Sequence, residues 1–168
     1  MTPRERKILI ILAIIFTLAL LSAGLIFIFR DRLTRTGDFE APALDSSART
    51  GFPSDLSADL SYTKMTARED YAIFLCATPR LDGDLLTLYF TSPPSNTALL
   101  KFRVFSPDGT LLAESGLLEP ASYLESIRLD HLPLAAESVT LKVMSYTRDT
   151  YLSDGAFSLT LPLTRASL

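Results

Sequence analysis

Residues 99–115 read LLKFRVFSPDGTLLAES. Leu100, Phe102 and Val104 alternate with Lys101 and Arg103. Successive side chains of a strand point to opposite faces, so this period of two predicts a strand with one buried and one wet face. Ser106-Pro107-Asp108-Gly109 then stops the run. Proline presets φ and Asp-Gly suits a tight reversal, so 110–115 is expected to return as the antiparallel hairpin partner.

The same alternation recurs on both sides of this hairpin. Upstream it covers 71–77 and, after the turn residues Asp82-Gly83, 85–91. Downstream it covers 123–129, where Ile127 and Leu129 are expected inside, and 139–145, where Val139, Leu141 and Val143 are. It ends at 157–163, with Phe157, Leu159, Leu161 and Leu163 facing inward. No amphipathic helix of useful length interrupts 60–168. Roughly six to eight short strands bounded by turn residues predict an all-β domain over 59–168, an antiparallel immunoglobulin-like β-sandwich.

The N-terminal end has a different pattern. Residues 8–29 read ILIILAIIFTLALLSAGLIFIF, 22 residues without a charge. As a helix rising 1.5 Å per residue this run is about 33 Å long, enough for a hydrocarbon core of roughly 30 Å. A transmembrane α-helix is therefore expected ahead of the β domain, with the lipid bilayer as its partner. A cleaved signal peptide fits less well, because its apolar run is shorter and is followed by a small-x-small cleavage site. Here the run continues to Phe27-Ile28-Phe29 before Arg30. Residues 1–7 are read as a cytoplasmic tail and 30–58 as a linker. Arg4, Arg6 and Lys7 on one side nearly balance Arg30, Arg32 and Arg35 on the other. The short tail and the signal-anchor layout favour an N-terminus in the cytoplasm and a β domain outside, at the cell membrane. The linker carries Pro42, Pro53, Gly37 and Gly51 and no sustained period. Phe39 and Phe52 are its exceptions, read as touching headgroups or packing on the domain edge.

Charge narrows the partners. Of 16 basic and 19 acidic residues, six basic and two acidic lie in 1–35, so 36–168 holds ten basic and seventeen acidic residues. A body this acidic lacks the clustered Lys and Arg that neutralise phosphates, and no nucleic-acid partner is expected. The single cysteine, Cys76, and single histidine, His131, make neither an internal disulfide nor a zinc site. Cys76 is read as a small apolar residue in a strand and His131 as a loop residue. Asp130 and His131 are adjacent, which a strand would point apart, and no Gly-x-Ser-x-Gly elbow or phosphate loop is present. Asp82-Gly83-Asp84 is read as a plain turn, lacking the spaced ligands of a calcium loop. No enzymatic activity, cofactor or metal is expected.

Aromatic residues are the stronger lead. Tyr146 and Tyr151 flank one late loop with Arg148, Asp149 and Asp154, and Tyr89 and Tyr123 lie in or beside strands. Tyrosine offers a stacking ring and a hydrogen-bonding hydroxyl, which suits protein or sugar recognition. Tyr146, Arg148, Asp149, Tyr151 and Asp154 are the candidate partner-binding residues. A protein partner at the membrane or cell surface is the first expectation. A carbohydrate or cell-wall polymer bound on the tyrosines is the alternative.

The order of motifs from residue 92 to 163 resembles a family of small β-sandwich domains of Gram-positive anaerobic bacteria, secreted or tethered by an N-terminal segment. That family places an Asn-Pro-x-x-Asn turn before a strand, where this chain has Ser92-Pro93-Pro94-Ser95-Asn96. An Asp-Gly hairpin and a Leu-x-x-Ser-x-Leu-Ile-x-Pro-Gly run follow, matched by Asp108-Gly109 and by 112–120, LAESGLLEP. The final strand pair matches 139–146 and 154–163. Ser92 stands for Asn, Ala121 for Gly and Glu137-Ser138 for Gly-Tyr. The resemblance implies a tethered sandwich and carries over no catalytic residue.

Overall fold

A computed structural model describes Thr17 and residues 41–54, 56, 60–68, 71–133 and 136–165. The expected transmembrane helix, 8–29, lies outside the described residues except for Thr17, which is helical and exposed. No helix among the described residues is long and apolar enough to cross a membrane. The β domain lies in the unit Ala41–Leu168.

This unit is all-β. Its strands are β1 (Arg49–Thr50), β2 (Tyr62–Arg68), β3 (Tyr71–Cys76), β4 (Arg80–Asp82), β5 (Leu85–Ser92), β6 (Leu99–Phe105), β7 (Leu111–Glu114), β8 (Ser122–Arg128), β9 (Ser138–Tyr146), β10 (Ser153–Pro162) and β11 (Thr164–Arg165). They form two sheets. The larger runs β1-β8-β5-β3-β2, with β4 beside β5 and β11 beside β4; the smaller runs β10-β9-β6-β7. Every strand pair is antiparallel except the two-residue β11–β4 ladder.

The alternation read from residues 99–115 sets the smaller sheet. Leu100, Phe102 and Val104 are fully buried, and Phe102 and Val104 pair with Val143 and Leu141 of β9. Their partners on the larger sheet are Ile73, Leu75, Leu86, Leu88 and Phe90, and one hydrophobic core joins both sheets. Phe90 meets Phe102 across it with ring centroids 4.6 Å apart. Burying side chains of this size contributes about 1.5–3 kcal/mol each. Cys76 is buried in β3. Of the expected inward residues, Val139, Leu141, Val143, Leu129 and Leu161 are buried. Ile127, Phe157, Leu159 and Leu163 are half-buried against the core.

On the wet face of β6, Lys101 and Arg103 both grip Glu114 of β7. Burial opposes ionisation of Glu114, but hydrogen bonds and charge from these two cations outweigh it and hold its carboxyl below the usual range. The β6–β7 turn forms as read. Gly109 takes φ 88° and donates to Ser106 O at 3.0 Å, while Asp108 Oδ1 accepts from Thr110 N at 2.9 Å.

The C-terminal part of the expected linker, from Ala41 on, belongs to this unit. Leu117 N donates to Ala43 O and Asp45 N to Leu117 O, at 3.0 and 2.9 Å. The Asp45 carboxylate accepts from Gly116 N and Ser47 N, both at 2.9 Å, and Arg49–Thr50 pairs with β8. A Cβ on Gly116 would stand 2.6 Å from Asp45 Cα, so only glycine lets the two backbones approach. These contacts come from backbone groups and one carboxylate, which leave no hydrophobic period in 41–50. Phe52 packs edge-on to Phe74, centroids 5.4 Å apart, and so takes the second of its two expected positions.

Asn96 ties the β5–β6 connection to β3. Its buried amide accepts from Ala72 N at 3.0 Å, and its Nδ2 donates to Ala72 O at 2.8 Å and to Ser92 Oγ at 3.1 Å. It thus supplies the donor and acceptor that a neighbouring strand residue would offer. Asn96→Ala leaves both polar groups of Ala72 buried without partners, at about 1–3 kcal/mol each. Chemical denaturation of the variant should show a loss of at least about 2 kcal/mol against the parent. A loss below that would mean the loop holds its place without this bridge.

Candidate interaction surfaces

Residues 147–152 connect β9 to β10 and contain most of the candidate binding residues. Thr147 organises the turn: its N–H donates to Leu152 O and its carbonyl accepts from Tyr151 N, both at 3.0 Å. Its hydroxyl lies 2.6 Å from that of Thr150 and accepts from Leu152 N at 3.2 Å. Tyr151 closes the turn with φ 54°, a left-handed conformation that a bulky residue adopts only where its surroundings impose it. Arg148 and Asp149 stand exposed at the apex. Arg148 Nη2 is 4.0 Å from Glu119 Oε1, a solvent-exposed pair that contributes little to stability. Leu152 is 67% exposed, the highest among the large hydrophobic side chains described.

Arg148, Asp149 and Tyr151 therefore share one turn. Tyr146 lies below it, half-buried in β9, with its hydroxyl 3.8 Å from Met144 Sδ. Asp154 sits at the register slip between Ser153 and Gly155 where β10 begins. Among the described residues, no three His, Cys, Asp or Glu side chains converge to hold a metal. His131 is exposed at the opposite end of β9, beside a 330 Å³ cleft that Pro107, Leu112 and Leu132 also line.

The outer face of the larger sheet holds a second concave surface that strand periodicity did not reveal. β3 and β4 pair in succession with the same side of β5, Phe74 against Thr91 and Arg80 against Thr87. Opposite that break, β5 slips register against β8 between Thr87 and Phe90. The extra residue is accommodated at Tyr89, whose φ is 48°. Such a bulge bends the strand and re-aims a side chain, and a bulky residue with positive φ stores about 1–3 kcal/mol of strain.

The bend opens a groove of about 350 Å³ lined by Arg80, Asp82, Thr87, Tyr89 and Glu125, with Leu60 and Leu85 as its apolar members. Tyr89 Oη reaches Glu125 Oε1 at 3.5 Å, the long limit of a hydrogen bond. Burial, and next the negative charge of Glu125, raise the Tyr89 phenol above its ordinary pKa, so it remains a neutral donor. Arg49 Nη1 lies 2.8 Å from Glu125 Oε2. Its hydrogen bond with Tyr123, and then the charge of Glu125, strengthen its hold on its proton. The groove thus offers a phenol, two carboxylates, a hydroxyl and a guanidinium, a set suited to a polar ligand rich in hydroxyls or amides. In the sequence Tyr89 looks like any outward residue of a strand. Its distinction comes from the slip against β8, which depends on a segment more than thirty residues away.

The described residues of the unit 41–168 thus form a two-sheet, mainly antiparallel β domain with a hydrogen-bonded turn at one end and a polar groove on one face. Comparison with protein-family models, with curated protein sequences and with solved structures returns no match.

The strain at Tyr89 gives a measurable signature. Glycine takes positive φ without steric cost, so Tyr89→Gly relieves strain while removing the ring. The variant is expected to stay within about 1 kcal/mol of the parent in thermal denaturation. A loss well above that would show that the ring serves the fold instead of the groove.

Proposed function

We propose that this chain is a membrane-tethered, non-enzymatic docking module: an immunoglobulin-like β-sandwich held at the cell surface by helix 8–29, with residues 1–7 in the cytoplasm. In this reading it binds another protein, as an accessory subunit of a larger envelope assembly. The motif order resembling tethered β-sandwich domains of Gram-positive anaerobes agrees with this, as does the uncharged 22-residue run.

The observation that carries the reading is the turn 147–152. A loop fixed by four hydrogen bonds presents Leu152 outward beside Arg148 and Asp149. An apolar side chain on a preorganised loop that also carries charged residues loses little entropy when a partner covers it. A chain solubilised gently from membranes should bring specific membrane or surface proteins with it. Leu152→Asp should lose them while keeping the parent's circular dichroism and melting temperature. Recovery of the parent as an inert monomer, or identical partners with Leu152→Asp, overturns the reading.

A second reading has its own observation. The groove at Tyr89 combines an aromatic ring with four further hydrogen-bonding side chains, as carbohydrate sites do. Here Tyr89, in place of Tyr146 and Tyr151, is the sugar platform. A glycan array and cell-wall sedimentation test it: binding by the parent that is lost in Tyr89→Gly supports the module. Absence of binding, or binding unchanged in Tyr89→Gly, removes it.

A further inference from the structure

Sheet edges invite pairing, and proteins block them with short strands, charges and bulges. Most edges of this domain are blocked in that way. β1 and β11 are two residues long. β7 has four residues, and its Glu114 is engaged by Lys101 and Arg103. β2 exposes Lys64 and slips register between Thr66 and Arg68. β10 differs: it is the edge of the smaller sheet, ten residues long, and without a charge from Gly155 to Pro162.

Its backbone orientation follows from the register. Leu163 N donates to Glu137 O at 2.8 Å, so the pair 163/137 is hydrogen-bonded. Hydrogen-bonded and non-bonded pairs alternate along an antiparallel ladder. Leu161, Leu159 and Phe157, opposite Val139, Leu141 and Val143, therefore direct their N–H and C=O groups toward β9. Ala156, Ser158 and Thr160 direct theirs away from it. No described residue accepts or donates to those outward groups. Pro162 falls in the outward set, where its missing N–H costs the β9 ladder nothing. The same edge leaves Phe157 and Leu159 only half-buried.

We propose that β10 is a homophilic edge: two copies of this chain pair β10 with β10, antiparallel, about a two-fold axis through Leu159. The two four-stranded sheets then become one sheet of eight strands. Ser158 stands opposite the second copy's Thr160, and each N–H of that pair meets the other's C=O; Ala156 N–H meets the second copy's Pro162 O, while Ala156 O, opposite a proline nitrogen, stays with solvent. On the inner face Leu159 meets its own counterpart and Phe157 meets the second copy's Leu161, which covers the half-exposed end of the core. The occupant is a second copy because the strip is self-complementary. It is apolar on one face and hydroxyl-bearing on the other, and self-pairing brings no like charges together. Elsewhere residues 36–168 carry seventeen acidic against ten basic residues, which disfavours self-contact away from this strip.

The test uses the full chain in mild non-ionic detergent. Cys76 is the single native cysteine and is buried, so introduced thiols report alone. Oxidation of a mixture of Ser158→Cys and Thr160→Cys chains should give a covalent dimer in higher yield than either variant gives by itself. In sedimentation, Thr160→Pro should lose the parent's dimer, because it removes an outward N–H that β9 does not use. Should Thr160→Pro fail to fold, the double variant Ser158→Lys/Thr160→Lys takes its place, since both side chains are exposed in one copy and face each other in two. A parent that sediments as a monomer, no preference for the mixed cross-link, or a folded variant that keeps the parent's dimer overturns the proposal.

Discussion

The contact between Phe90 and Phe102 is the constraint on which the rest of the domain rests. Both rings are fully buried, one from each sheet, in the core that joins the sheets. Once the rings meet, the parity of β5 and β6 is fixed, because a shift by one residue would turn Leu88 and Phe90, or Phe102 and Val104, out to water. The flanking strands inherit that parity through their ladders. β9 follows β6 with Phe102 opposite Val143, and β8 follows β5 with Phe90 opposite Leu124. The loops then take up the mismatch between strand ends, and both candidate interaction surfaces arise there or at a bulge.

Where this parity controlled a residue's fate, the sequence was sufficient. Residues 99–105 form a strand with the expected bounds, and the Pro-Asp-Gly turn reverses the chain as its residues dictate. Segments whose order comes from polar contacts left no such trace. Asp45 fixes the start of the domain through two backbone N–H groups, and the glycine that admits it is seventy-one residues away. Asn96 looks like an ordinary turn residue until its amide is seen bridging Ala72. Hydrophobic alternation reports which residues avoid water; it is silent on side chains that imitate a strand or admit a neighbour.

The candidate residues divide along the same line. Proximity in sequence was enough to place Arg148, Asp149 and Tyr151 in one turn, because a loop of that length keeps its members together. Tyr146 belongs to β9 by its pairing with Leu99 and Ser153, and its half-buried side chain serves the sheet. The groove at Tyr89 draws on β4, β5 and β8 and exists only because β5 carries one residue more than its partner. A site of that origin depends on register, and register is a property of pairs of strands.

The fastening at Asp45 and Gly116 also has a mechanical meaning. Among the described residues, tension entering at Ala41 meets first the bonds joining Ala43 and Asp45 to Gly116 and Leu117. That segment runs parallel to its neighbour, Leu44 beside Leu117, so the bonds there share the load side by side instead of opening one after another. Behind them Gly51 holds Ala121 O at 2.7 Å, and β1 holds β8. A pull from the N-terminal side is thus spread along the flank of the domain before it reaches the strands that enclose Phe90 and Phe102.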